Sequence, residues 1–174
     1  EEGVFAEAIN FASLKKIPIL FVCESNMYSV YSPMDVRQPP ERDICAIARA
    51  HGIPARKGDG NSMQDILSCM EEFHPLSLEG PALVELTTYR WREHCGPNYD
   101  NNIGYRTEEE FLAWKKKCPV AAFEKELLKN GTLTQQDIEK YKQQIEKEIE
   151  EAFLFAEESP FPHENQLMQY TYVQ

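Results

Sequence analysis

The amino-acid sequence predicts an α/β fold built on a parallel sheet. Residues 19–23 form a continuous apolar run, which is typical of a strand covered on both faces in such a sheet. Helix and strand patterns alternate up to about residue 89, as they do in proteins of this class. A long polar loop, 91–106, then follows a strand pattern, at the sheet edge where α/β proteins bind ligands.

The boundaries of the predicted elements follow from residues that start or stop helices. Pro18 ends the first helix, and Gly52 ends the second. Asn61, Thr107 and Thr134 are the expected N-caps of three later helices. In chain order the prediction is helix 3–16, strand 19–23, loop 24–40, helix 41–51, strand 54–57, helix 61–73, strand 82–89, loop 91–106, and helices 108–117, 119–131 and from 134 onward.

The last third of the chain is predicted to be helical, which divides the sequence into two parts. Residues 1–106 are expected to form the sheet-bearing domain, and residues 107–174 a helical extension packed on the same domain. In the last long helix, apolar side chains step by three and four, so they are expected to form one buried stripe on a charged helix. They are Ile138, Tyr141, Ile145, Ile149, Ala152, Phe153 and Ala156.

Composition and charge argue against several classes of protein. Hydrophobic residues make up 42% of the 174 residues, so the chain can bury a core. The net charge of -11 repels phosphate backbones, and no nucleic-acid partner is expected. The longest apolar run, 17–23, is much shorter than the ~20 residues that a membrane-spanning helix needs, so no membrane association is expected.

The five cysteines are widely scattered, and none form a C-x-x-C pair. This spacing argues against a disulfide framework and against a structural zinc site, and it favours a reducing compartment. Cys95, in the long loop, is interpreted as an ordinary loop cysteine.

The most informative stretch is residues 1–31, which combines a helix, a buried strand and a polar loop. It reads Glu2-Gly3-x-Phe5-x-Glu7-Ala8-x-Asn10-x-Ala12, then an apolar strand, then Ser25-Asn26-x-Tyr28. It resembles the second half of the cofactor motif in the α subunit of the thiamine-diphosphate-dependent component of 2-oxo acid and acetoin dehydrogenase complexes. The resemblance implies part of a transketolase-like, thiamine-diphosphate-binding fold with a helical C-terminal extension.

The same resemblance implies a metal site in this loop. The side-chain oxygen of Asn26 and the backbone carbonyl of Tyr28 are expected to bind Mg²⁺, which prefers hard oxygen ligands shared with phosphate. The family has an Asn where this chain has Ser25, at a position that is not an expected ligand. Its opening Gly-Asp-Gly, which supplies an aspartate ligand, is expected just before Glu1. The chain is therefore expected to be an incomplete α subunit, inactive on its own.

The triplet Gly58-Asp59-Gly60 spells the same letters as that opening motif. It is interpreted instead as a turn, with Asn61 as the N-cap of the surface helix that follows.

A second informative stretch is Thr88-Tyr89-Arg90, followed by His94. The family has Thr-Tyr-Arg at the end of a strand and a His in this register. The resemblance implies that Arg90 helps to hold the cofactor's diphosphate. It also implies that His94, as a catalytic residue, lies at the mouth of the active site beside cofactor and substrate, with Tyr28 in the cofactor-binding set. A guanidinium forks onto phosphate oxygens, and an imidazole can move a proton near neutral pH.

The loop around His94 differs from the family pattern, which leaves the substrate open. The family usually has His-Gly-His-Ser, whereas this chain has Arg92-Glu93-His94-Cys95. Further on, Tyr105-Arg106-Thr107 resembles the family's Tyr-Arg-Thr, where the loop rejoins a helix.

The resemblance also implies a reaction and partners. The reaction is thiamine-diphosphate-dependent oxidative decarboxylation of a 2-oxo acid, pyruvate-like or branched-chain, with acyl transfer to lipoamide. The partners are a β subunit, in an α2β2 enzyme, and a lipoyl-bearing acyltransferase component. The location is expected to be cytoplasmic, or the mitochondrial matrix in a eukaryote. Two alternatives stay open: a related thiamine enzyme acting on acetoin or a sugar-derived carbonyl, and a non-catalytic interaction domain that keeps the fold.

Overall fold

The computed structural model describes residues 2–169 and 171. In chain order the elements are α1 (Gly3–Lys15), β1 (Leu20–Ser25), β2 (Tyr28–Ser29), β3 (Ser32–Pro33), a 3-10 turn (Met34–Val36), α2 (Ile44–Ala50), β4 (Ala55–Asp59), α3 (Met63–Glu79), β5 (Ala82–Thr87), α4 (Glu108–Lys115), α5 (Pro119–Lys129), α6 (Gln135–Glu158) and a second 3-10 turn (Glu164–Gln166). Glu1, at the start of the motif stretch, and residues 170 and 172–174, in the expected extension, lie outside the described residues.

Three strands form a parallel sheet in the order β1-β5-β4. This confirms the predicted α/β class with a parallel sheet. The sequence predicted that β1 is covered on both faces. In the structure β1 lies at an edge of the sheet, and Val22 in this strand is 48% exposed. That expectation is wrong for β1. Five of the six residues of β5 are buried instead, because β5 has a strand on each side.

The core lies on both faces of the sheet. One buried cluster joins α1 and α2 to the sheet, and a second joins α3 to the opposite face. Successive β5 side chains point alternately to the two faces, so Leu83 belongs to the first cluster while Val84 belongs to the second. The first cluster is Ile9, Cys45, Ala48, Ile53 and Leu83. The second is Cys69, Phe73, Ala82, Val84 and Leu86.

The third helix differs from its prediction at both ends. The N-cap of α3 is Ser62, whose hydroxyl accepts from the amide of Asp65 at 3.3 Å, and not Asn61. The helix also runs through Pro75 to Glu79, beyond the predicted end at 73. A proline inside a helix removes one backbone hydrogen bond. Burial of α3 against the sheet outweighs this cost.

The chain divides into two compact units, Glu1–Lys125 and Glu126–Gln174. The first includes α4, so residues 107–125 belong to the same unit as the sheet. The boundary expected after residue 106 stays a prediction.

The long helix α6 begins as predicted, with a capping box. The Thr134 hydroxyl accepts from the amide of Asp137 at 3.2 Å, and the Asp137 carboxylate accepts from the amide of Thr134 at 2.9 Å. Of the predicted buried stripe, Ile138 is buried. Tyr141, Ile145, Ile149 and Phe153 are each at least half exposed. The expectation of one buried stripe is therefore wrong, because periodicity marks an apolar face but not what covers it.

Two sequence expectations concern the chain as a whole. All five cysteines are free, so none of them forms a disulfide. In the residues that the structure describes, no helix is both long enough and apolar enough to cross a membrane.

Candidate functional site

A cleft of about 610 Å³ opens beside the carboxyl end of β1. Its lining includes all four residues that the sequence singled out: Asn26, Tyr28, Arg90 and His94. They come from two chain segments that are far apart in sequence.

Parallel pairing of β1 with β5 explains why these segments meet. Ser25 pairs with Thr87, so both strands end at the same level, and the amide of Thr88 donates to the carbonyl of Ser25 at 3.0 Å. The loops that follow therefore start side by side at the carboxyl edge of the sheet, where α/β folds place ligands.

The first of these segments, residues 26–30, is called here the Asn26 loop. The side-chain oxygen of Asn26 accepts from the amide of Tyr28 at 2.9 Å, which closes a tight turn. Met27 (φ 67°) and Val30 (φ 54°) lie in the left-handed region, which is unfavourable for their side chains. An amide oxygen has two lone pairs, so Asn26 retains one for a further ligand.

The Tyr28 side chain anchors this loop to α4. Its hydroxyl lies 2.8 Å and 2.9 Å from the two carboxylate oxygens of Glu110. Its ring packs edge-on against those of Tyr89 and Tyr105, with centroid distances of 6.3 and 5.4 Å. Burial, followed by the Glu110 hydrogen bond, raises the pKa of Tyr28 above its ordinary value.

Arg90 joins the two loops. Its guanidinium donates to the carbonyl of Val30 at 2.6 Å and to the hydroxyl of Tyr105 at 3.2 Å. Its Nε is buried and has no hydrogen-bond partner among residues 2–169 and 171. Part of the guanidinium thus has hydrogen-bonding capacity that the protein does not use.

His94 lies on the rim of the cleft and is exposed. The turn that carries it is held by Glu93, whose carboxylate accepts from the Asn98 amide at 3.2 Å and from the Asn98 side chain at 2.8 Å. Arg92 is directed elsewhere, donating to the carbonyl of Pro97. The location of His94 fits the mouth of a site, and its catalytic role stays a prediction.

Three residues outside the cleft lining, Asp100, Arg106 and Glu110, hold the loops around it, and none was assigned a role in the site from the sequence. Arg106 is buried beside Asp100 and donates to the carbonyls of Arg90 (2.5 Å) and Trp91 (3.1 Å). Glu110 holds Tyr28. The Tyr-Arg-Thr likeness at 105–107 could have drawn attention to Arg106, whereas Glu110 is one of three consecutive glutamates and carries no local signal.

The turn expected at Gly58-Asp59-Gly60 is confirmed only at Gly60: Gly58 and Asp59 end strand β4 and pair with Leu86 and Thr87 of β5, so the interpretation is wrong for these two residues. The amide of Gly60 donates to the carbonyl of Thr87 at 2.8 Å. Asn61 does not cap α3. Its side chain accepts from the Thr88 hydroxyl at 2.9 Å and donates to the carbonyl of Lys117 at 3.0 Å.

One further cluster of side chains has atoms close enough together to bind a metal ion. The ligand atoms of Asp43, Cys45 and Glu85 lie within 4.8 Å of one another. All three also have a structural role: Asp43 caps α2, Cys45 lies in the first core cluster, and Glu85 is paired with Lys57 at 3.3 Å. Burial, and then the charge of Glu85, raises the pKa of the Cys45 thiol, which disfavours the thiolate that a metal needs. These contacts account for the group without an ion.

The sequence is similar to those of known proteins. The family model described as "Dehydrogenase E1 component" matches residues 1–165. The chain is 31% identical over 169 residues to the pyruvate dehydrogenase E1 component subunit alpha-3, chloroplastic, of Arabidopsis thaliana, which covers 96% of this chain and 39% of that protein.

Two bacterial relatives show similar identity. One is the 2-oxoisovalerate dehydrogenase subunit alpha of Bacillus subtilis, 29% identical over 173 residues, covering 98% of this chain and 52% of the relative. The other is the pyruvate dehydrogenase E1 component subunit alpha of Staphylococcus aureus, 34% identical over 158 residues, covering 87% and 42%. The chain spans about half the length, or less, of these relatives.

Proposed function

The chain belongs to the dehydrogenase E1 component family, and from this premise we propose that it acts in thiamine-diphosphate-dependent oxidative decarboxylation of a 2-oxo acid. The proposed enzyme is an α2β2 assembly in which this chain is part of the α subunit. The acyl group passes to the lipoamide of an acyltransferase component. The relatives are named for pyruvate and for 2-oxoisovalerate at similar identity, so both a pyruvate-like and a branched-chain substrate fit.

The observation that carries the proposal is the shared lining of one cleft by Asn26, Tyr28, Arg90 and His94. They are the residues that the motif resemblance implies, and they come from two segments far apart in sequence. The strand pairing of β1 with β5 brings them to one edge of the sheet, where a ligand is expected.

The residues fit the cofactor in two respects. The guanidinium of Arg90 has a buried Nε without a partner in the described part of the chain, and phosphate oxygens are suitable acceptors for it. Asn26 retains an oxygen lone pair beside the Tyr28 carbonyl, and two neutral oxygens of this kind suit Mg²⁺ that also binds phosphate.

In this proposal the cofactor supplies an electron sink for decarboxylation. The chain's own residues bind and orient it: Arg90 holds the diphosphate, and Asn26 with the Tyr28 carbonyl holds Mg²⁺. His94, at the rim, moves a proton to or from substrate groups. We place the enzyme in the cytoplasm, or in the mitochondrial matrix of a eukaryote.

The test is calorimetric titration of thiamine diphosphate into the assembled α/β enzyme, with and without Mg²⁺. We expect binding that requires Mg²⁺ and that Asn26→Ala and Arg90→Ala each weaken at least about tenfold. Asn102→Ala and Arg92→Ala are matched controls, since both residues are exposed and neither lines the cleft.

Release of carbon dioxide from pyruvate and from a branched-chain 2-oxo acid then identifies the substrate. Activity on acetoin or a sugar-derived carbonyl alone would replace this substrate class with the alternative. Absence of Mg²⁺-dependent cofactor binding would instead favour a non-catalytic interaction domain and contradict the proposal.

A further inference from the structure

We infer that Glu110, on α4, is a positioning residue that holds the Asn26 loop in the conformation needed for metal binding, acting through the Tyr28 side chain. The inference deepens the proposed function and rests on it, because the role of the loop's oxygens toward Mg²⁺ is part of that proposal.

The contact is specific and long-range. The Tyr28 hydroxyl lies 2.8 Å and 2.9 Å from the two oxygens of the Glu110 carboxylate, across a sequence separation of 82 residues. A hydroxyl has one proton, so these distances describe a single donor placed between two charged acceptors. Hydrogen bonds to a charged group are stronger than those between neutral groups. The Tyr28 ring also makes edge-to-face contacts with the rings of Tyr89 and Tyr105.

The Asn26 loop needs such an anchor. Met27 and Val30 have φ of 67° and 54°, a conformation that persists only where the surrounding structure imposes it. Arg90 holds the end of the loop through the Val30 carbonyl at 2.6 Å. Glu110 holds its middle through Tyr28, the residue whose backbone carbonyl is the proposed ligand. Without this anchor, the carbonyl would sample other directions.

Three consecutive glutamates, 108–110, begin α4, and only Glu110 accepts a hydrogen bond from Tyr28 in the part of the chain that the structure describes. Its own amide is held by the Thr107 hydroxyl at 3.1 Å, so the first turn of α4 fixes its direction. Glu108 bonds to Asn101 instead, and Glu109 is exposed. All three carry the same charge at the same helix N-terminus, where a carboxylate is favourable. Glu109 is therefore a matched control for charge and for position on the helix.

The first experiment measures hydrogen exchange of the peptide covering the Asn26 loop in the purified chain without cofactor. We expect Glu110→Ala and Tyr28→Phe to accelerate exchange in this peptide about tenfold. Glu110→Gln, which keeps an oxygen acceptor, should accelerate it less, and Glu109→Gln should leave it unchanged. Equal effects of Glu109→Gln and Glu110→Gln would overturn the positioning role.

The second experiment measures the Kd of Mg²⁺ by calorimetry on the assembled α/β enzyme at saturating thiamine diphosphate. Glu110→Ala and Tyr28→Phe should each raise that Kd about tenfold, and the double variant should raise it no further, because the two residues act as one unit. Melting temperatures of the same variants show whether folding has been lost.

The outcomes separate this inference from the proposed function. A lower melting temperature with an unchanged Kd for Mg²⁺ would show that Glu110 only stabilises the fold, and would overturn the inference while leaving the proposed function standing. A wild-type enzyme that binds no Mg²⁺ with thiamine diphosphate would overturn both. Faster exchange together with a raised Kd, in both single variants, supports the inference.

Discussion

The guanidinium of Arg106 lies fully buried against the carboxylate of Asp100, six residues earlier in the same loop. Their side chains are 0% and 5% exposed. The same guanidinium donates to the backbone carbonyls of Arg90 and Trp91. One buried ion pair thus closes the long loop after β5 and fixes the backbone from which the Arg90 side chain extends into the cleft.

Loss of this pair should be costly. Arg106→Ala leaves the buried Asp100 carboxylate without its ionic partner, with the Tyr105 hydroxyl still donating to it, and we expect the free energy of unfolding to fall by about 3–5 kcal/mol. Urea denaturation followed by circular dichroism measures the loss. Arg92→Ala is the control, because Arg92 is exposed and lies over the Tyr99 ring at 4.1 Å. It should cost less than about 1 kcal/mol; similar losses for both variants would contradict the assignment.

The turn at Gly60 should not accept a side chain. A Cβ there would lie 2.9 Å from the backbone oxygen of Thr87 and 3.2 Å from the Cβ of Leu86, neither of which can move without shifting β5. We expect Gly60→Ala to destabilise the protein by about 1–3 kcal/mol in a thermal melt. Gly80→Ala meets nothing within 4 Å, and an unchanged melting temperature is expected there.

The cysteines should react in a defined order. Cys95 is exposed, whereas Cys45 and Cys69 are buried, and burial raises the pKa of both buried thiols. A raised pKa means less of the reactive thiolate at any given pH. We expect a thiol reagent near neutral pH to label Cys95 first, and Cys45 and Cys69 only as the protein unfolds. Mass spectrometry of labelled peptides checks the order, and Cys95→Ser should remove the fast phase.

Tyr89 should make stability depend on alkaline pH. Burial raises the pKa of its phenol from an ordinary value of 10 to about 12. The folded state keeps the phenol neutral while the unfolded state ionises, so this contribution to stability is complete below about pH 10 and is lost as the pH rises to about 12. Urea midpoints across that range should fall less in Tyr89→Phe than in the wild type. Tyr141→Phe, which removes an exposed hydroxyl, should match the wild type.

His94 should affect turnover more than cofactor binding. It lies on the cleft rim and is exposed, whereas Arg90 is tied into both loops. In the assembled enzyme we expect His94→Ala to lower kcat about a hundredfold or more, the scale of general acid–base catalysis, with little change in the Kd of thiamine diphosphate. His74→Ala, an exposed histidine of α3, serves as the control. A raised Kd with unchanged kcat would assign His94 to binding instead.

Local sequence patterns correctly predicted the start of a helix where only one residue was available as the N-cap. Thr107 and Thr134 cap α4 and α6 as expected, because a hydroxyl just before a helix can reach the third amide whatever lies around it. The prediction that Asn61 caps α3 was wrong. Asn61 and Ser62 are adjacent and either could serve as the N-cap, so tertiary contacts decided between them. The Asn61 side chain is taken by Thr88 and by the Lys117 carbonyl, which leaves Ser62 to cap α3.

The sequence by itself determined the parallel α/β class, because helix and strand patterns alternate along the chain. A family resemblance implied that Asn26 and Arg90 share a cofactor site, and the pairing of β1 with β5 places both on one cleft at the carboxyl edge of the sheet. Only the tertiary structure decided that Arg106 closes on Asp100 and that Glu110 holds Tyr28. Those contacts depend on how a loop and a distant helix pack, and neither periodicity nor motif spacing encodes that geometry.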